Sequence, residues 1–115
     1  MKKIISLLLL SLSSAAFAGN CNEKSLWGGW ESSKNNMFET IAFESQENSK
    51  TFNYWIKGEN ENKIGLWSLD NCELKVTDEN KKELYLFLVK IENSKNIKLT
   101  NKENNKVFVF KKMRD

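Results

Sequence analysis

The chain has 115 residues with 18 lysines and arginines against 15 aspartates and glutamates, two cysteines, no proline and no histidine. The missing histidine removes the usual acid/base group near neutral pH and the commonest neutral metal ligand. Two thiolates cannot by themselves complete a tetrahedral zinc shell, so neither a metal centre nor a cofactor is expected.

Lys2 and Lys3 precede an apolar run over residues 4–12, and a small-residue segment ends at Ala16-Phe17-Ala18. This predicts a secretory signal peptide over residues 1–18, cleaved after Ala18. The apolar run is too short to span a bilayer and serines interrupt it, so no membrane span is expected after cleavage. Gly19 and Asn20 separate Ala18 from Cys21, which argues against a lipid anchor on that cysteine.

Residues 19–115 then form one domain of 97 residues, enough for a single core. Its net charge falls to +1, because the leader holds two of the 18 basic residues. With no stripe of basic and aromatic residues, nucleic acid is not an expected partner. Two cysteines in an exported chain predict one disulfide, Cys21 to Cys72, and two buried free thiols are the alternative. The expected location is the periplasm or the exterior of a bacterial cell.

Residues 19–25 read as a short helix or an irregular lead-in. Leu26-Trp27-Gly28-Gly29-Trp30 reads as a bent strand at a barrel corner, since glycines permit a sharp bend or a close backbone approach. A strand follows over residues 37–44, with Phe38, Thr40 and Ala42 on one parity and Ile41 and Phe43 on the other. Residues 52–76 form the organising unit, three antiparallel strands with turns at 58–63 and at Asp70-Asn71. Phe52, Tyr54 and Ile56 share one face of the first strand, and Leu74 and Val76 alternate with charged residues in the third.

A turn at 78–82 leads to the longest strand, residues 83–92. Leu84, Leu86 and Leu88 lie on one of its faces, and Tyr85, Phe87, Val89 and Ile91 on the other. Its second apolar face needs cover, either from the segment tethered by Cys21 or from a second copy in a homodimer. Ile97 and Leu99 mark the next strand, and residues 107–110 close the chain after a hairpin at 101–106. About eight short strands with regular turn signals predict an all-β antiparallel meander, closed as a small barrel or packed as a barrel-like sandwich.

Catalytic chemistry is not expected. The carboxylates of Glu59, Glu61, Asp70 and Glu73 fall mostly in turns, and no nucleophile elbow, phosphate-cradling loop or Cys-x-x-Cys pair is present. The layout from Leu26 onward resembles small bacterial lipocalin-like proteins, through Leu26, Gly28 and Trp30, then Gly65-x-Trp67-Ser68 and Cys72-Glu73-Leu74. This resemblance implies an eight-stranded barrel with the early tryptophan closing one end, and a binding function for a small apolar ligand or an envelope component. Trp30, Tyr54 and Trp67 are the candidate ligand-binding residues. The alternative is that the 12 aromatics of the mature chain fill the interior as core.

A second, shorter stretch, residues 54–59 with residues 71–74, is similar to bacterial c-type lysozyme inhibitors. That likeness implies a proteinaceous inhibitor or immunity-type partner for a cell-wall hydrolase. Lys57 would then reach the enzyme's carboxylates, with Gly58 and Glu59 beside it. The upstream glycine of that family's pattern is missing before Phe52, and 43 residues follow Cys72.

Overall fold

Short apolar alternations separated by Asn-, Asp- and Gly-rich turns leave the backbone little choice but to run out, reverse and return. The computed structural model describes residues 21–33 and 36–114, and the expected leader lies outside them. A 3-10 helix, Glu23–Leu26, opens this part, its first turn capped by Asn22, whose side chain accepts from the Lys24 backbone N–H at 2.9 Å. Eight strands follow: β1 (Gly28–Ser32), β2 (Phe38–Gln46), β3 (Ser49–Ile56), β4 (Lys63–Asp70), β5 (Glu73–Thr77), β6 (Glu83–Asn93), β7 (Asn96–Asn101) and β8 (Val107–Lys112). Each pairs antiparallel with the next, and β8 returns to β1, so the sheet closes into a barrel. Closure leaves no free outer strand. Among the described residues no helix is long and apolar enough to cross a membrane.

Alternation sends one set of side chains inward. Phe52 and Tyr54, Trp67, Leu74 and Val76, Phe87 and Val89, Ile97 and Leu99, and Phe108 and Phe110 form a single buried cluster. The register steps at three places, between Phe38 and Thr40 on β2, opposite Val76 and Thr77 on β6, and between Ile91 and Asn93 on β6, and the first two redirect apolar side chains. On β2 the register steps between Phe38, opposite Ile56, and Thr40, opposite Trp55. The extra residue lets Phe38 point inward together with Ile41 and Phe43, which a strict period of two would place on opposite faces.

On β6 the register steps opposite Val76 and Thr77, which pair with Tyr85 and Glu83 and leave Leu84 as the additional residue. Leu84 turns toward Gly65, where an added Cβ would lie 3.8 Å from its Cδ1. The expected outer face of Leu84, Leu86 and Leu88 is therefore redirected at its first residue but not buried there, since Leu84 stays 38 % and Leu88 47 % exposed. The segment tethered by Cys21 does not cover them, because Cys21 packs against the interior cluster.

One end of the barrel is sealed. Leu26 is fully buried, and the Trp30 indole N–H donates to the Leu26 carbonyl at 2.9 Å. The Lys112 ammonium lies 4.7 Å from the centre of the Trp30 ring and donates to the Trp27 carbonyl. Gly28, at φ 105°, permits this approach, since a Cβ there would come within 2.7 Å of Lys112 Nζ. Cys21 and Cys72 form a disulfide that ties the 3-10 helix to the β4–β5 turn. In that turn Asn71 and Cys72 both have positive φ, 50° and 67°. This is the two-residue hairpin geometry that matches strand twist, and it centres the turn one residue later than Asp70-Asn71.

Candidate functional site

The opposite end carries the loops at 57–62, 78–82 and 102–106 together with Asn36 and Met37, and beneath them the interior is occupied by aromatic rings. Phe38 is at its centre. Its ring centroid lies 5.5 Å from those of Tyr85 and Phe108, 6.1 Å from Tyr54, 6.2 Å from Phe110 and 6.3 Å from Phe87. Most of these contacts are edge-to-face, the arrangement the ring quadrupoles favour.

The three candidate ligand-binding aromatics do not converge on one space. Trp30 belongs to the sealed end. Trp67 meets Phe43 at 5.2 Å and donates its indole N–H to the Glu44 carbonyl at 3.1 Å. Tyr54 packs between Phe52 and Tyr85, at 5.5 and 5.8 Å. Only 7 % of Tyr54 and 4 % of Trp67 are exposed. Burial, and secondarily the neighbouring Tyr54, raises the pKa of the Tyr85 phenol.

The three candidate partner-binding residues stand together at the loop end. The Lys57 backbone N–H donates to the Met37 carbonyl at 2.9 Å, and the Glu59 N–H donates to the Ile56 carbonyl at 3.1 Å. Gly58 takes φ 86° in open space. The Trp55 indole N–H reaches back to the Glu59 carbonyl at 3.0 Å, and the Glu59 carboxylate pairs with Lys63 at 2.9 Å. That hydrogen bond, with the accompanying charge attraction, raises the pKa of the Lys63 amine. The Lys57 side chain is exposed and has no partner among the described residues. A braced turn thus presents the unpaired Lys57 to solvent, with the exposed Glu61 in the same loop, and an unpaired cation so placed suits a carboxylate on another molecule.

No family model, characterised protein or solved structure matches the chain.

One feature escaped sequence reasoning. A groove of about 930 Å³ lies outside the barrel, between the β2–β3 turn and the outer sides of β4 and β5. Its lining is mixed, with Leu66 and Trp67 beside polar residues that include Glu47, Lys50, Lys75 and Lys81. It exists because β3 pairs with β4 only from Thr51 to Tyr54, which leaves Trp67–Asp70 without a partner on that side. Lys50 spans the gap, 2.5 Å from the Glu23 carboxylate and 5.4 Å from the centre of the Trp67 ring. A signal for it lay in Ser49-Lys50, polar where continued pairing to β4 would place a packed residue.

Proposed function

We propose that this chain is an exported, non-enzymatic binding protein of the bacterial cell envelope that engages a macromolecular partner through the turn carrying Lys57, Gly58 and Glu59. The observation that carries the reading is the bracing of this turn. Trp55, Ile56 and Lys63 hold its backbone and Glu59, while Lys57 is left uncommitted. A preorganised turn loses little conformational freedom on binding, so a single cation on it contributes more to affinity than on a mobile loop. The disulfide fits an oxidising compartment. The ring-filled interior favours an envelope component over a small apolar ligand, which would have to displace Phe38 and its neighbours.

A carboxylate-lined cleft, as in a lysozyme-like cell-wall hydrolase, is the partner chemistry that suits Lys57, in line with the local similarity to lysozyme inhibitors. The test is a pull-down from envelope extract with wild-type and Lys57→Ala protein, followed by assay against a panel of muralytic enzymes. The proposal expects a captured partner that Lys57→Ala releases. Equal capture by both proteins overturns it, as does quenching of tryptophan fluorescence by fatty acids at stoichiometric concentration.

A further inference from the structure

The charges divide along the chain. Residues 21–72 carry five basic against eight acidic side chains, a net of −3, whereas residues 73–115 carry eleven against seven, a net of +4. In a closed barrel whose strands follow chain order, β1–β4 and β5–β8 form opposite halves of the wall. Among the described residues, where the balance is four basic against eight acidic before Glu73 and eleven against six from Glu73 on, the division in sequence is therefore a division in space, with one acidic side and one basic side.

The basic side also exposes aliphatic surface. Leu88, Thr100 and Val107 stand in one cross-strand row over β6, β7 and β8. They face outward because Phe87, Val89, Leu99 and Phe108 between them are buried. Leu88 is 47 % and Val107 52 % exposed. Glu73, ion-paired with Lys102, lies opposite Leu88 at the β5 end of this row; Lys75 lies opposite Leu86 on one side of it, and Lys90 lies opposite Lys98 on the other. Like charges directly across a sheet are destabilising. Glu92 answers Lys98 at 3.3 Å, but Lys90 makes no ion pair with any described residue. The fold tolerates a cationic pair of which only Lys98 is neutralised, beside exposed leucine and valine.

We propose that the outer face of β5–β8 docks on an anionic phospholipid bilayer. Leu88 and Val107 enter the boundary between headgroups and acyl chains, and Lys75, Lys90 and Lys98 pair with the phosphates. Aliphatic side chains in a net cationic surround, Lys75, Lys90, Lys98 and Lys102 against Glu73 and Glu92, match this occupant better than a protein, whose binding hot spots favour Trp, Tyr and Arg and whose interfaces are poor in Lys. Neither Trp, Tyr nor Arg faces outward from β5–β8. The inference uses a different face from the Lys57 turn and does not depend on the partner proposed for it.

The experiment is co-sedimentation of the full exported, disulfide-bonded protein with vesicles of phosphatidylcholine alone or of phosphatidylcholine with phosphatidylglycerol. Binding is expected only with the anionic vesicles, and it should weaken as salt is raised. Each lysine near the surface contributes about fivefold to partitioning, so Lys90→Gln/Lys98→Gln should bind about 25-fold more weakly. Leu88→Ser/Val107→Ser should also lose binding while keeping the wild-type melting temperature. Lys24→Gln, the loss of one charge on the acidic side, should change nothing. Equal binding to both vesicle types overturns the proposal, as does no sedimentation with either. So does retention on dextran sulfate without vesicle binding, or a doubled mass in analytical ultracentrifugation that Leu88→Ser/Val107→Ser abolishes.

Discussion

Replacing Phe38 tests whether the barrel is a filled solid or a container. The ring is fully buried and touches five other aromatic rings. Large-to-small changes of this kind cost about 3–5 kcal/mol, combining lost transfer energy with the cavity left behind. The upper part of that range applies, because strands hydrogen-bonded on both sides cannot close around the space. A domain of this size has a stability of about 5–15 kcal/mol, so Phe38→Ala removes a large share. In urea, with a slope of about 1 kcal/mol/M for a small domain, the midpoint should fall by about 3 M or more. The assay is equilibrium unfolding of disulfide-intact protein followed by tryptophan fluorescence. If Phe38→Ala does not fold, Phe38→Leu, with an expected cost of about 1–2 kcal/mol, gives the same information. A cost below about 1 kcal/mol for Phe38→Ala would refute the packing argument and reopen the interior to a ligand.

Removing the disulfide with Cys21→Ser/Cys72→Ser should cost about 4 kcal/mol, from the entropy of a loop closed across a separation of 51 residues. An unchanged urea midpoint would contradict this. Gly65→Ala would place a Cβ 2.7 Å from the Thr77 carbonyl oxygen, a backbone atom that moves only if β4 and β5 separate. A loss of about 1–3 kcal/mol is expected, with a melting temperature at least about 4 °C lower, and unaltered melting would show that the strands yield freely. Because burial raises the Tyr85 pKa, its contribution is complete below the unfolded phenol value of about 10 and is lost as pH rises through the folded value. Tyr85→Phe should therefore lose less stability than wild type between about pH 9 and about pH 11, and identical alkaline profiles would refute this.

The strands were legible because alternation is unambiguous wherever one face is wet, as at Leu74 and Val76 or Ile97 and Leu99. Closure was not, since barrel and sandwich share the same strand pattern and differ only in whether Trp30 meets Lys112 across the final seam. Both corrections to side-chain direction, at Phe38 and Leu84, come from single-residue bulges. A bulge changes the pairing count without changing composition, so periodicity cannot register it. The position of Lys57 in a turn followed from Gly58 and the polar run after it. The bracing did not, because Trp55 falls on the wet parity of β3 and gains its role only when the turn curls back over it. The charge division was present in the sequence but hidden by a net charge near zero, and it gains meaning only from strand order.

The seam between β1 and β8 consists of three residue pairs, Trp30 with Lys112, Glu31 with Lys111 and Ser32 with Phe110. Every other strand pairing joins neighbours in the chain. Seven hairpins can therefore form from local encounters, while the eighth pairing must wait for the two extremes of the strand order to meet, the slow kind of event in folding kinetics. The bond from Cys21 to Cys72 shortens that search, because it fixes the start of β1 to the middle of the meander before β8 arrives. Oxidation should accordingly accelerate refolding as well as stabilise the product, and amide exchange should open the β1–β8 seam before any other part of the wall.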